Sequence, residues 1–379
     1  MAYFFGLILV SLSFTYKKNK LLLFVVLFFM FIMFAFSYGN ADWNIYNNRF
    51  DNYLELSGET EPLYTLTMKT LHLIGFSYRS FLILLSLASL FVIYFITTRL
   101  TKFSNLVLAL YFIYPFCFDV TMIRFTYASI FVYLAFYFLL SKPKKRVLLF
   151  SLFILLASLI HFACFLFLLF SLLEIIPKHK RKAALILMLF VFLVLFVFVG
   201  LNLSFLTSIS FLNIGQKIQN TFTFAGLNYD NSRIIKNIFK FLIVYCLQIF
   251  LLYYIKRTVN KSSTSSRLLI SRQLEQIDRI FQIVKASILI LPFMIVDTDF
   301  FRIQIPLLLL TYIALANYFD VRTIKYRTNL LLITDRSFIS CLLGLSVSFS
   351  SLYLWVLSGP NYTSVFKAFF ENNTVLSLF

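Results

Sequence analysis

Carboxylates are scarce in this chain: 15 Asp and Glu stand against 34 Lys and Arg, and charged residues make up only 13% of its 379 positions. So small a charged fraction excludes an ordinary soluble domain, in which about a quarter of residues carry charge. Cysteine is also rare. Cys117, Cys164, Cys246 and Cys341 stand singly inside apolar segments, which excludes a disulfide framework or a Cys-rich zinc site and leaves them as packing residues. With nine glycines in all, the chain has no Gly-rich phosphate loop. His-Glu-x-x-His, Gly-x-Ser-x-Gly and Ser-x-x-Lys are missing too, so neither a zinc hydrolase nor a covalent serine mechanism has support. No internal repeat is present, which argues against a secondary transporter. The opening Met1-Ala2-Tyr3-Phe4 has no positive region, while Lys17, Lys18 and Lys20 follow the first apolar segment. That segment is therefore expected to be retained, with its N-terminus outside.

What remains is apolar. A hydrophobic share of 61% and a mean hydropathy of +0.88 place the chain in the all-α polytopic membrane class, as a single integral domain over residues 1–379. Apolar segments fall near residues 3–15, 21–38, 80–98, 104–118, 124–140, 183–201, 236–255, 280–296, 303–319 and 337–357, about ten spans. The net charge of +19 lies in short clusters between these segments. It therefore reads as topology signal and contact with anionic membrane lipid, not as a nucleic-acid surface.

One further apolar run, 147–176, has basic clusters at both ends, Lys142-Pro143-Lys144-Lys145-Arg146 and Lys178-His179-Lys180-Arg181-Lys182. A single crossing carries its positive flank on one side. The expectation is a re-entrant helical hairpin that turns near His161. The loops at 17–20, 99–102, 142–146, 178–182, 256–279 and 322–336, which hold about two-thirds of the Lys and Arg, then all face the cytoplasm. Most of the acidic residues fall on the other side.

Two outer loops are long. In 39–79, Trp43, Tyr46, Phe50 and Tyr53 recur at helical spacing, which predicts an aromatic stripe along the membrane interface. A second short helix is expected to begin at Pro62, with Thr60 and Glu61 as caps, and to stop at Gly75. The other loop, 202–235, is polar, a lid or a connector. The basic loop 256–279 is read as cytoplasmic.

Few residues can carry chemistry in such a chain. Arg124 and Tyr127 open the fifth span on one helix face. On the outer side, where no positive charge is called for, the Arg124 guanidinium suits phosphate or carboxylate oxygens; pairing with Asp119 is the plainer role. Arg302 has the same logic, with Asp299 as its local alternative partner. The Asp297-x-Asp299 spacing is a weak metal candidate, and no metal or cofactor is called for. His161 is either a hydrogen-bonded turn residue or a proton carrier and diphosphate donor. His72 and His179 rank below it. Asp42, Tyr46 and Glu61 form the acidic side of the constellation, as base or sugar-hydroxyl anchors, and Glu55 and Glu59 read as solvated acids.

The order of these residues resembles the EpsG family. It runs Gly39-Asn40-Ala41-Asp42-Trp43-Asn44-Ile45-Tyr46, Glu61-Pro62-Leu63-Tyr64, Arg124 with Tyr127-Ala128, Leu155-Leu156-Ala157-Ser158-Leu159-Ile160-His161, then Phe301-Arg302. The chain departs from the family pattern in lacking an arginine ahead of Asp42 and in having Leu63 where glycine is common. The resemblance implies a Wzy-like polymerase of O antigen, capsule or exopolysaccharide, in the inner (cytoplasmic) membrane of a bacterium, similar to GT-C glycosyltransferases. It implies undecaprenyl-diphosphate-linked oligosaccharides joined at the outer, periplasmic face, with a chain-length regulator as a possible partner. Arg124 and Arg302 would then clamp the diphosphate, with Tyr46 and Tyr127 beside the sugar, and Asp42, Glu61 or His161 would serve as base. The alternatives are a single-addition transferase or ligase using the same donor, and a flippase. A flippase should spread its charges through the membrane depth, whereas these gather toward one face.

Overall fold

In the computed structural model, the described residues are 2–52, 61–141, 144–201, 231–260, 267–296, 298–325, 330–359 and 361–378. They are almost entirely helical, with no β-strand among them. Among the described residues, five helices are long and apolar enough to cross a membrane: Tyr78–Leu100, Ile123–Ser141, Ile235–Val259, Phe300–Val321 and Ser337–Leu357. Shorter apolar helices include Ala2–Thr15 and Lys20–Ala35, at two other expected spans, and Arg146–Ile160, in the run expected to be a hairpin. The chain is a multi-pass membrane protein.

In order, the helices are α1 (Ala2–Thr15), α2 (Lys20–Ala35), α3 (Trp43–Asp51), α4 (Pro62–Leu73), α5 (Tyr78–Leu100), α6 (Ser104–Ile113), α7 (Phe116–Thr121), α8 (Ile123–Ser141) and α9 (Arg146–Ile160). They continue with α10 (Leu169–Ile175), α11 (Arg181–Leu201), α12 (Asn231–Asn260), α13 (Arg267–Ala286), α14 (Leu291–Val296), α15 (Gln304–Lys325), α16 (Leu330–Leu352) and α17 (Ala368–Glu371). Local chemistry sets many of the boundaries. Asn19 accepts the Leu22 N–H at the head of α2, Ser77 accepts the Ser80 N–H at the head of α5, and Pro62 occupies the first turn of α4. Gly75, at φ +84°, ends α4 in a conformation that a side chain disfavours.

The core is built around α6, α8 and α15. Residues 104–112 of α6 are all buried, α5 lies against both α2 and α8, and α8 packs along α9. Inside a membrane protein, polar side chains that bond across helices hold the bundle. Gln248 of α12 meets Thr311 of α15 at 3.2 Å and Gln304 at 3.3 Å, while Asn317 of α15 donates to Gln276 of α13 at 3.2 Å. One end of the bundle collects the basic loops. There Lys102 pairs with Asp320 at 3.4 Å, Lys17 lies over the Phe319 ring, and Arg279 donates to the Leu139 carbonyl at 2.9 Å. Arg124 begins α8, roughly 25 Å along the helix from this end.

After α9 the chain reverses. His161 is extended at φ −147° and ψ 110°, and a 3-10 stretch, Phe162–Leu168, leads into α10. Arg146 at the start of α9 then reaches Glu174 near the end of α10, Nη2 to Oε2, at 2.8 Å. A straight helix would separate those residues by about 42 Å.

Several expected boundaries differ. The segment at 104–118 is broken: α6 stops at Ile113, Tyr114 is extended (φ −163°, ψ 132°) and α7 starts at Phe116. Pro115 is the reason, because the residue before proline is driven out of helical geometry. The described part of the basic loop at 256–279 is also helical. Its first residues extend α12 to Asn260, and α13 occupies Arg267–Ala286. In α13, Ile277, Ile280, Ile283 and Val284 recur at helical spacing and are buried, because α13 packs on α12 and α15. The aromatic stripe of α3 does not line the membrane interface. Tyr46 and Phe50 are buried within the protein, and Tyr53 lies outside the described residues. Of the loop at 202–235, only 231–235 is described, as the first turn of α12.

Candidate active site

Glu61 stands immediately before α4, where its position suggests a cap, yet its side chain makes no cap bond to the helix. The carboxylate turns inward instead and is 1% exposed. A charge so buried requires partners, since an unpaired one is expelled by desolvation. Two are supplied by distant elements. Oε2 accepts from Arg124 Nη1 of α8 at 2.7 Å, and Oε1 lies 3.0 Å from His161 Nδ1 at the α9 turn. The Phe162 backbone N–H also points to Oε1, at 3.4 Å. Arg124 therefore does not pair with Asp119. That carboxylate is buried and holds the Tyr111 hydroxyl, while the Asp119 carbonyl accepts from Thr126 Oγ1 at 2.6 Å, which fixes the α7–α8 corner one turn from Arg124.

Three further groups enclose the pair. Arg124 Nε donates to the Tyr46 hydroxyl at 3.4 Å, and its guanidinium lies 5.7 Å from the Tyr46 ring and 5.8 Å from the Tyr64 ring, within cation–π reach. Phe125 meets the His161 imidazole edge to face at 5.7 Å. The charges of Arg302 and Arg124 both bear on that imidazole, and the stretch Thr298–Ile303 carrying Arg302 packs against the 3-10 stretch after His161.

The tautomer follows from the partner. A carboxylate only accepts, so Nδ1 carries the proton and donates to Glu61, leaving Nε2 with a lone pair. An oriented imidazole of this kind can take a proton, and a half-buried guanidinium beside it can hold a phosphoryl oxygen. Both side chains keep access to the surroundings, at 15% exposure for His161 and 25% for Arg124 against 2% for Glu61.

Four of the residues expected from sequence thus meet, Glu61, Arg124, His161 and Tyr46, and the stretch that carries Arg302 packs beside them. Tyr127 is tied elsewhere, its hydroxyl 3.1 Å from Thr67 Oγ1, and joins α8 to α4 beneath the site. Asp42 precedes α3 one turn before Tyr46. Its carbonyl accepts the Tyr46 N–H at 3.0 Å and its own N–H donates to Asn40 Oδ1 at 3.3 Å, so its backbone anchors the helix that carries Tyr46. Asp297 lies outside the described residues, as do Glu55, Glu59 and the Asp299 side chain.

Sequence reasoning gave Tyr64 no role, although it stands in the Glu61-Pro62-Leu63-Tyr64 stretch, and passed over Lys240. Tyr64 is fully buried and follows Glu61 by three residues, the spacing that puts both on one side of a helix start. Lys240 lies over the Trp355 ring at 5.7 Å, and Trp355 stacks on Phe301 at 4.1 Å, next to Arg302. A lysine inside an apolar span, far from the basic loops, was the available signal.

A family model described as the EpsG family matches residues 20–364. No curated protein and no solved structure matches the chain.

Proposed function

Because this chain belongs to the EpsG family of membrane proteins associated with polysaccharide polymerisation, we propose that it is a glycosyltransferase joining oligosaccharide repeat units carried on undecaprenyl diphosphate. The site faces the periplasmic side of a bacterial inner membrane, and the segment after α8 is a re-entrant hairpin that lifts His161 to it. The observation that carries the reading is the buried Glu61 carboxylate bridging Arg124 and His161.

In the reaction, a hydroxyl oxygen of the incoming unit attacks the anomeric carbon at the reducing end of the growing glycan. The bond from that carbon to the lipid diphosphate breaks, and its electron pair leaves with the diphosphate. His161 Nε2 takes the hydroxyl proton, and Glu61 holds the imidazole in register and offsets the charge it gains. Arg124 and Arg302 stabilise the negative charge gathering on the departing diphosphate. Without diphosphate, Glu61 neutralises Arg124. When phosphate oxygens engage the guanidinium, the carboxylate shifts its charge toward His161, just as a proton is to be accepted. Tyr46 and Tyr64 keep the guanidinium in place throughout.

The test is the surface glycan of cells lacking the gene and of cells carrying single substitutions. Deletion should leave material capped with one repeat unit. Arg124→Ala, Arg302→Ala and His161→Gln should each remove long chains at normal membrane protein levels, with elongation slower by about 10²–10³. A normal ladder after deletion overturns the reading. Complete absence of surface repeats would assign the chain to export of the lipid-linked unit instead.

A further inference from the structure

The residues that follow the last long helix fold back onto the loop that starts α3. Ala41 N–H donates to Ser364 O at 2.9 Å, Tyr38 N–H to Asn372 O at 3.1 Å and Thr374 N–H to Phe36 O at 3.0 Å. Ser37 and Asn373 form an isolated antiparallel bridge. Asn373 is fully buried and uses both ends of its amide. Nδ2 donates to the Ile32 carbonyl at 2.9 Å, on the last turn of α2, and Oδ1 accepts the Val375 and Leu376 N–H groups, each at 3.1 Å. The backbone groups of residues 36–41 belong to no helix, and this segment satisfies several of them, as buried peptide groups require.

The segment is itself docked on the site's supports. Phe369 meets Phe116 at 5.6 Å and Phe112 at 6.3 Å, and Phe370 stacks on Tyr3 at 4.1 Å. From the same loop, Asn40 Nδ2 donates to the Val120 carbonyl of α7 at 3.3 Å, four residues before Arg124. On the opposite side Arg79 Nη1 donates to the Ala35 and Ser37 carbonyls, both at 2.7 Å. The loop is thus fixed from three directions. Its downstream end begins α3, which brings the Tyr46 hydroxyl to Arg124. Asn372, Asn373 and Thr374 all lie past residue 364, where the family match ends.

We infer that the segment 361–378 is a positioning element of the active site, with Asn373 as its key residue, acting through the 36–41 loop and α3 to hold Tyr46 against Arg124. The inference rests on the polymerase reading. It places a determinant of this site in residues beyond the family match, so the tail is part of the working enzyme.

The experiment is a double-mutant cycle on the full-length chain, measuring the initial rate of elongation from lipid-linked repeat units per folded molecule. Asn373→Ala and Tyr46→Ala should each slow elongation by roughly tenfold. Together they should be no more than about twofold slower than Tyr46→Ala alone, because the tail acts through a side chain already removed. Asn373→Asp keeps the two acceptor bonds, loses the donor to Ile32 and should give an intermediate rate; it serves for the cycle if Asn373→Ala does not fold. Effects that multiply, or unchanged rates per folded molecule in both Asn373 variants, overturn the inference. A wild-type chain that elongates nothing overturns the polymerase reading instead.

Discussion

Arg124→Met removes the guanidinium while keeping an unbranched side chain of similar reach, and it takes from the buried Glu61 carboxylate its 2.7 Å ion-pair partner. Removing one partner of a buried ion pair costs about 3–5 kcal/mol, most of it the burden of the charge left behind. Arg124 is partly open, at 25% side-chain exposure, so the lower end, about 3 kcal/mol, is the expected loss. Adding Glu61→Gln removes that stranded charge, while the amide can still meet His161 and the Phe162 N–H. The double variant should therefore be more stable than Arg124→Met alone, with a coupling of about 2 kcal/mol between the two positions. Reversible unfolding of the purified protein in mixed micelles, titrated with SDS, measures this. Elongation should not follow stability, since both variants lack the diphosphate clamp and both should run about 10²–10³ slower than wild type. Additive stabilities would refute the bridging role of Glu61. Recovered elongation in the double variant would refute Arg124 as the phosphate ligand.

Two other perturbations test the scaffold. A side chain at Gly344 of α16 would place its first carbon 2.4 Å from the Leu315 side chain, whereas one at Gly359 would meet nothing within 4 Å. Gly344→Ala should thus cost about 1–3 kcal/mol by overpacking, and Gly359→Ala should leave the unfolding midpoint where it was. Exchanging the charges that join the ends of the hairpin, Arg146→Glu with Glu174→Arg, should restore most of the elongation lost by either single change. Failure of the exchange would show that the 2.8 Å contact does not hold the hairpin closed.

Much of the architecture was legible in the sequence because membrane insertion is governed by local properties. Segment length, hydropathy and the placement of Lys and Arg specify a multi-pass helical protein before any packing is known. Pro62 and Gly75 marked the ends of α4 for the same local reason. Basic clusters on both sides of one apolar run pointed to a turn at His161. The break at Pro115 was also written locally, but the apolar composition hid it. The helix α13 was harder to see, because its charged outer face dilutes the hydropathy while its inner face is apolar.

Which polar residues would meet was a matter for the tertiary structure alone. Sequence determined that His161, inside an apolar run, was expensive to place and needed a partner; it read Arg124 as an outer-side cation and Glu61 as a cap in the outer loop, and did not join them. It left Asp119, five residues before Arg124, as the nearest acid. The fold chose Glu61, sixty-three residues away, because the α7–α8 corner points the Asp119 carboxylate at Tyr111 and brings Arg124 under the start of α4. The tail's hold on the 36–41 loop is likewise invisible in sequence, since backbone hydrogen bonds between distant segments leave no mark on residue type. Burial cost can be read residue by residue, but the pairing that offsets it depends on how the helices pack.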